Sequence, residues 1–191
     1  MSYKDTEPKA LEKAAQMGDA EAQYRLGECY FWGRGVKLNY QEAVEWYQRA
    51  AMAGHAGAQS RLGNCYHYGR GVKQDYATAA EWFRKAADKG DADAASFLGF
   101  CYLNGDGVEQ DDVKAAEWLL KAADRGDTDA LSMLGDCYEK GVGVEKDIKK
   151  AVEYFYLASL QGDYDAKDDL EYLAKGGVQE AIDALERLRK K

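Results

Sequence analysis

The chain is poor in histidine, with two, and in proline, with one in 191 residues, and it has no excess of positive charge. Its formal net charge is -8, from 34 acidic against 26 basic residues. Such a field repels phosphate backbones, which argues against nucleic acid as a partner. No stretch has the length or apolarity of a membrane span or signal sequence, and the start carries Lys4, Asp5, Glu7, Lys9, Glu12 and Lys13, so direct membrane insertion is not expected. The expectation is a soluble, cytoplasmic protein, although a secreted chain relieved of its leader would read the same. At 46% hydrophobic residues the chain is too apolar for disorder, and with twenty glycines it is too glycine-rich for plain long helices. The glycines must be placed to a purpose.

Aligning Gly18, Gly54, Gly90, Gly126 and Gly162 exposes an internal period of 36 residues, which is the signature of a solenoid. Leu26, Leu62, Leu98 and Leu134 coincide, each followed by glycine. Cys29, Cys65, Cys101 and Cys137 follow in register, each with a tyrosine after it, and then a Gly-x-Gly-Val loop opens at Gly33, Gly69, Gly105 and Gly141. The second half of each unit repeats Ala43, Ala79, Ala115 and Ala151, then Trp46, Trp82, Trp118 and Tyr154, then Ala50, Ala86, Ala122 and Ala158.

Each unit reads as two helices. In Asp19 to Trp32, the residues Ala22, Leu26, Cys29 and Tyr30 fall along one face of a 3.6-residue period. Asp19, Asp91, Asp127 and Asp163 stand where a side-chain oxygen can cap the first turn, with His55 in that place in the second repeat; Asn39, Asp75, Asp111 and Asp147 do the same for the second helices. Gly54 and its equivalents close the second helix with a left-handed backbone angle. Gly27, Gly63, Gly99 and Gly135 fall inside a helix, where glycine costs about 1 kcal/mol relative to alanine. A repeated cost implies a repeated close approach, expected between neighbouring repeats, so that Gly63→Leu should disturb the packing of one repeat on the next. The recurring tyrosines and tryptophans read as packing between helices.

The whole chain, 1–191, is expected to form one all-α domain of about eleven helices: an N-terminal half-repeat cap over 6–17, four full repeats over 18–161, and a degenerate fifth repeat with a closing helix over 162–191. Ala10, Leu11 and Ala14 give the first helix a small apolar face, and Val178, Ala181, Ile182, Leu185 and Leu188 form the stripe of the last. Polar ends of this kind argue for a monomer.

Catalytic or cofactor chemistry finds little purchase. Four cysteines one repeat apart stand about 10 Å from each other, too far to share a zinc with bonds near 2.3 Å or to pair as disulfides. They read as core thiols. The Gly-x-Gly loops follow helices rather than strands and lack a Lys-Ser or Lys-Thr pair, so they are not phosphate cradles. Neither His55 nor His67 is matched by spacing to a carboxylate or cysteine, and solvent or cap roles are expected. No cofactor, metal or catalytic residue is nominated.

Positions that stacking does not dictate carry function in a solenoid. On the first helices these are Glu21, Arg25, Glu28 and Trp32, then Arg61, Asn64 and Tyr68, then Phe97, Phe100 and Asn104, then Met133 and Asp136; Asp93, Asp129 and Lys140 share the stripe. Phe97 and Phe100 place large apolar side chains where a solvated wall would carry charge, as an anchoring patch does. Arg25 and Arg61 toward one side and Asp129 and Asp136 toward the other could orient a peptide. A second occupant is a glycan or cell-wall fragment stacked on Trp32 and Tyr68.

Ala58-Gln59-Ser60-Arg61-Leu62-Gly63-Asn64-Cys65-Tyr66, with Gly69-Arg70-Gly71-Val72 and Ala79-Ala80-Glu81-Trp82-Phe83-Arg84-Lys85-Ala86-Ala87, resembles the Sel1-like repeat. It is a relative of the tetratricopeptide repeat, whose period is about 34; the extra residues fall in the Gly-x-Gly-Val loop. The resemblance covers nearly the whole chain. It implies a right-handed superhelical solenoid of α-α hairpins whose first helices line a concave groove, used as a scaffold or adaptor for a protein or peptide partner. A secreted branch has two cysteines per repeat joined as staples, and a β-lactamase-like hydrolase activity is ascribed to it. With one cysteine per repeat here, neither the staples nor that activity carries over, and the chain is not expected to be an enzyme.

Overall fold

The computed structural model describes residues 8–190. Among them the chain is all-α, with eleven helices: α1 Pro8–Gln16, α2 Ala20–Trp32, α3 Tyr40–Met52, α4 Ala56–Tyr68, α5 Tyr76–Ala87, α6 Ala92–Asn104, α7 Asp112–Ala123, α8 Thr128–Lys140, α9 Ile148–Leu160, α10 Tyr164–Lys175 and α11 Gln179–Arg189. Thr6 and Glu7, the first residues of the expected cap, lie outside the described residues. From Ala20 to Leu160 the helices alternate as first and second members of 36-residue hairpins, the fold class expected of the period. They fall into two compact units. The first holds residues up to Ala94 with Asp106–Val108, and the second holds Ala95–Gly105 and the chain from Glu109 onward.

Local chemistry sets the helix ends. Asp19, Asp127 and Asp163 each accept a hydrogen bond from the backbone N–H of the third residue on, and Asp91 does so from Ala94 at 2.9 Å. His55 fills the same place through its ring, Nδ1 accepting from Ala58 N–H at 3.1 Å. Asn39, Asp75, Asp111 and Asp147 cap the second helices. Gly33, Gly69 and Gly141 close first helices in the left-handed region, their N–H donating to the carbonyls of Cys29, Cys65 and Cys137.

In the first unit Phe31, Val44, Tyr47, Leu62 and Cys65 form a core with several alanines, and Leu11, Ala15, Leu26 and Trp46 form a second cluster beside it. The face of α1 is thus Leu11 and Ala15 with Ala14 packed beside them, while Ala10 is exposed. In the second unit Leu119, Leu134, Phe155 and Leu170 are wholly buried. The bulk of each second helix is sunk at Tyr47, Phe83, Leu119 and Phe155, one place after the tryptophan series. Trp46, Trp82 and Trp118 lie nearer the surface, each under a cation one turn later: Arg49 at 4.4 Å, Lys85 at 4.1 Å and Lys121 at 3.7 Å from the ring centre.

Two series of glycines trade roles relative to expectation. A Cβ on Gly63 would lie 2.6 Å from the Phe83 ring, and one on Gly135 would lie 2.4 Å from Phe155. Both partners belong to the second helix of the same hairpin. The in-helix glycines therefore close each hairpin on itself, and do not join one repeat to the next. The joint between repeats is made instead by the second loop glycine. A Cβ on Gly71 would sit 2.3 Å from the Tyr40 carbonyl oxygen, and one on Gly143 would sit 1.9 Å from that of Asp112. In each case the loop lies against the start of the preceding repeat's second helix, at a positive φ that already favours glycine. Two glutamines add polar ties in the first unit: Gln23 Nε2 donates to Ala15 O at 2.9 Å, and Gln59 Nε2 to Ala51 O at 3.0 Å. Each satisfies a carbonyl near the end of the preceding helix.

Candidate functional site

In the first unit the stripe runs along α2 and α4, and much of it is already engaged. Glu28 is the hub. Its Oε1 accepts from the Tyr47 hydroxyl at 2.6 Å and lies 3.0 Å from Arg61 Nε, while Oε2 accepts from Trp32 Nε1 at 3.2 Å. Tyr24 lies near enough to Arg61 for the two to interact electrostatically. Burial and the Glu28 charge keep the Tyr47 hydroxyl protonated far beyond the ordinary tyrosine range. Glu21 pairs with Arg25 along the helix and with His55 Nε2 at 2.9 Å; the His55 hydrogen bond is the main influence holding its carboxyl below the usual glutamate range. The His55 ring stacks on Tyr24, centres 4.6 Å apart.

A histidine beside a carboxylate was not foreseen from the spacing of the sequence. Its geometry is that of a cap. Nδ1 takes the Ala58 N–H and Nε2 faces Glu21, which leaves neither ring nitrogen open to a substrate. His67 also departs from expectation: it is buried, edge-on to Tyr68 and Tyr76, and burial lowers its pKa. It is neither a cap nor a solvent residue. Asn64 is half-buried, with a buried Oδ1 that has no hydrogen-bond partner. At the ends of the two helices Trp32 is 49% and Tyr68 52% exposed, with Arg34 lying 6.0 Å over the first ring and Arg70 5.3 Å over the second.

In the second unit the same register gives a different surface. Phe97, Phe100, Met133 and Asp136 are half-buried and Asn104 is exposed. Asp136 pairs with Lys140 one turn on. Leu103, Met133, Cys137 and Val142, with Asp136 and Lys140 at its edge, line an open recess of about 240 Å³. The register continues into α10, where Asp169 stands in the place of Arg25, Arg61, Phe97 and Met133, and Tyr172 in the place of Glu28, Asn64, Phe100 and Asp136. The Asp169 carboxyl is pushed up, first by burial and then by the charges of Asp136 and Glu139; Tyr172 is 71% exposed. The period predicts both positions once it is carried past Gln161, as it does not predict the recess, which depends on how Leu103, Met133 and Val142 come together from α6, α8 and the loop after it.

The cysteines are thiols without disulfides, three buried and Cys29 half-buried. Burial pushes Cys65 up to about 12 and Cys137 up to about 11, so these are protonated packing groups near neutral pH. Among the described residues no cluster of histidine, cysteine and carboxylate side chains has the makings of a metal site, and no helix is long and apolar enough to cross a membrane.

Repeated helical hairpins with a 36-residue period define the molecule as an α-solenoid protein. A family model described as Sel1 repeat matches residues 20–55, 56–91, 92–127 and 128–163, and the chain belongs to that family. Among solved structures, it is 36% identical to a protective antigen present in uropathogenic Escherichia coli strains, with a TM-score of 0.86 over 91% of this chain and 37% of that one. It is 36% identical to a Sel1 repeat protein from Oxalobacter formigenes, with a TM-score of 0.77 over 87% of this chain and 48% of that one. Cysteine rich protein B of Helicobacter pylori is 28% identical, with a TM-score of 0.54 over 68% of this chain and 98% of that one. The chain thus spans less than half the length of the first two. No curated protein matches it. The fold is one generally used for protein–protein interaction.

Proposed function

We propose that the chain is a scaffold or adaptor that binds a protein or peptide partner on the variable face of its first helices, and that it performs no catalysis. One observation carries the reading. Positions that build the hairpins recur with little change, whereas the register 25, 28 and 32 differs between the units: Arg25 and Arg61, Glu28 and Asn64, Trp32 and Tyr68 in the first give way to Phe97 and Met133, Phe100 and Asp136, Asn104 and Lys140 in the second. Stacking does not ask for that variation, and recognition does. The His55 and cysteine geometry supports a binding role, since the groups best suited to chemistry are occupied by capping or sunk in the core.

Phe97 and Phe100 are the anchors in this reading. Phe97→Ala combined with Phe100→Ala should abolish capture of the partner in a pull-down while circular dichroism stays that of the parent. Capture that survives in a folded variant removes the anchor. A glycan partner would bind instead at Trp32 and Tyr68, and a glycan array compared with a peptide array separates the two.

A further inference from the structure

The second unit carries a feature that a flat binding face does not need. Leu103 in the last turn of α6, α8 from Met133 to Lys140 and Val142 beyond line an open recess of about 240 Å³, less than the 300 Å³ or so at which small-molecule sites begin. Four of the six lining side chains, Leu103, Met133, Cys137 and Val142, are apolar. The Cys137 thiol is buried and held protonated, so this wall offers packing and no nucleophile. An aliphatic side chain gains by leaving water for such a place.

The lining carries one charge of each sign, Asp136 and Lys140, and Asp169 on α10 adds an acid in the field of Asp136. Lys140 is the cation there, already paired with Asp136. Asp169 has no ion pair among the described residues; burial raises its carboxyl first, then the repelling fields of Asp136 and Glu139, which the Lys140 charge offsets only in part. A cation supplied from outside would relieve that repulsion; an anion would add to it. In the first unit the acid equivalent to Asp136 is satisfied within the fold, Glu28 by Arg61, Tyr47 and Trp32, and the place of Asp169 is held by the cations Arg25 and Arg61. At this register the second unit therefore presents acid where the first presents a cation.

The geometry points to a socket in the second unit for one aliphatic residue of a partner peptide that carries lysine or arginine beside it. The aliphatic side chain enters against Leu103, Met133 and Val142, and the basic side chain lies toward Asp136 and Asp169. This rests on the scaffold reading and gives it a partner of definite chemistry.

The test is selection of a random peptide library displayed on phage against the whole chain, followed by fluorescence anisotropy of individual labelled peptides. Selected sequences should pair leucine, isoleucine, valine or methionine with an adjacent lysine or arginine. Replacing that basic residue by glutamate should weaken binding by about tenfold or more, the scale of a like charge set against a rim. Asp169→Lys should weaken it by a similar factor and Asp169→Asn by less, and Met133→Ala should weaken it without changing the preference for a basic neighbour. Circular dichroism confirms that each variant is folded. Peptides that bind with no basic preference, or that ignore Asp169→Lys, overturn the socket and leave the scaffold reading standing. Failure of the library to yield any peptide that binds the folded chain overturns both.

Discussion

The two units use one helical register in opposite ways. Glu28 and Asp136 occupy equivalent places on α2 and α8, as Tyr47 and Phe155 do on α3 and α9. In the first unit Tyr47 sends a hydroxyl to Glu28, Arg61 joins from the next helix, and the Glu28 side chain is only 17% exposed. In the second unit Phe155 has no hydroxyl to offer, Asp136 turns outward to Lys140, and its side chain is 47% exposed. Gln23 and Gln59 likewise reach back to carbonyls of the preceding helices, where the second unit has Leu131 in the same register. Polar groups brace the first unit; in the second they remain at the surface. Tyrosine or phenylalanine at this core place thus goes with a neighbouring carboxylate held inside the fold or left at the surface.

The hairpin joint should be common to both units, and it is the place of greatest sensitivity. Gly71→Ala and Gly143→Ala should each cost about 3 kcal/mol or prevent folding, since each adds a side chain against backbone at a positive φ. Urea denaturation reads the loss, and a mild effect at one site alone would mean that the units are not joined alike. Where the units part company, Glu28→Ala should cost about 2 kcal/mol, because it strands the Tyr47 hydroxyl and the Arg61 guanidinium. Asp136→Ala should cost under about 1 kcal/mol, the scale of an exposed ion pair. Equal losses in the two melts would erase the contrast. Tyr47→Phe, which imports the second unit's chemistry into the first, should cost about 1 kcal/mol.

The smallest effects concern pH, and they run in opposite directions. The Glu21 carboxyl is lowered, chiefly by the His55 hydrogen bond, so its contribution is present above the ordinary glutamate range and is lost as pH falls through its folded value. The Asp169 carboxyl is raised, chiefly by burial, so its ionisation penalises the fold at neutral pH and the penalty disappears in acid. At about pH 7, Glu21→Gln should lose and Asp169→Asn should gain roughly 0.5 kcal/mol, and both differences should fade in acid. Chemical denaturation at the two pH values checks the signs; a shared sign at neutral pH contradicts the picture.

Architecture was open to reading because it repeats. The period, the Asp19-type caps and the Leu26 and Cys65 series state the hairpin several times over, and His55 was placed as a cap by register alone. What one sequence withholds is the partner of a given surface. The in-helix glycines announced a close approach but not whose helix approached, and the answer lay in Phe83 and Phe155 of the same hairpin. Arg25 and Arg61 looked available to a ligand because nothing local contradicts it. Arg61 meets Glu28 from the adjoining repeat, one turn short of a full period away, a diagonal that depends on how side chains cross between helices. His67 misled for a related reason, since a polar residue at a helix end is exposed only if no ring closes over it, and Tyr76 and Phe83 are near enough to close.

The loop glycine seated on the start of the previous second helix has a consequence for how such chains lengthen. Along the repeats the loop glycine of one hairpin, Gly71, Gly107 or Gly143, meets the head of the second helix before it, at Tyr40, Tyr76 or Asp112. A duplicated 36-residue segment therefore arrives ready to couple at both borders, whereas an insertion of any other size would put a side chain or a misplaced turn where the notch must be. Growth by whole modules is built into the connection, and the exposed register of each new copy is then at liberty to drift.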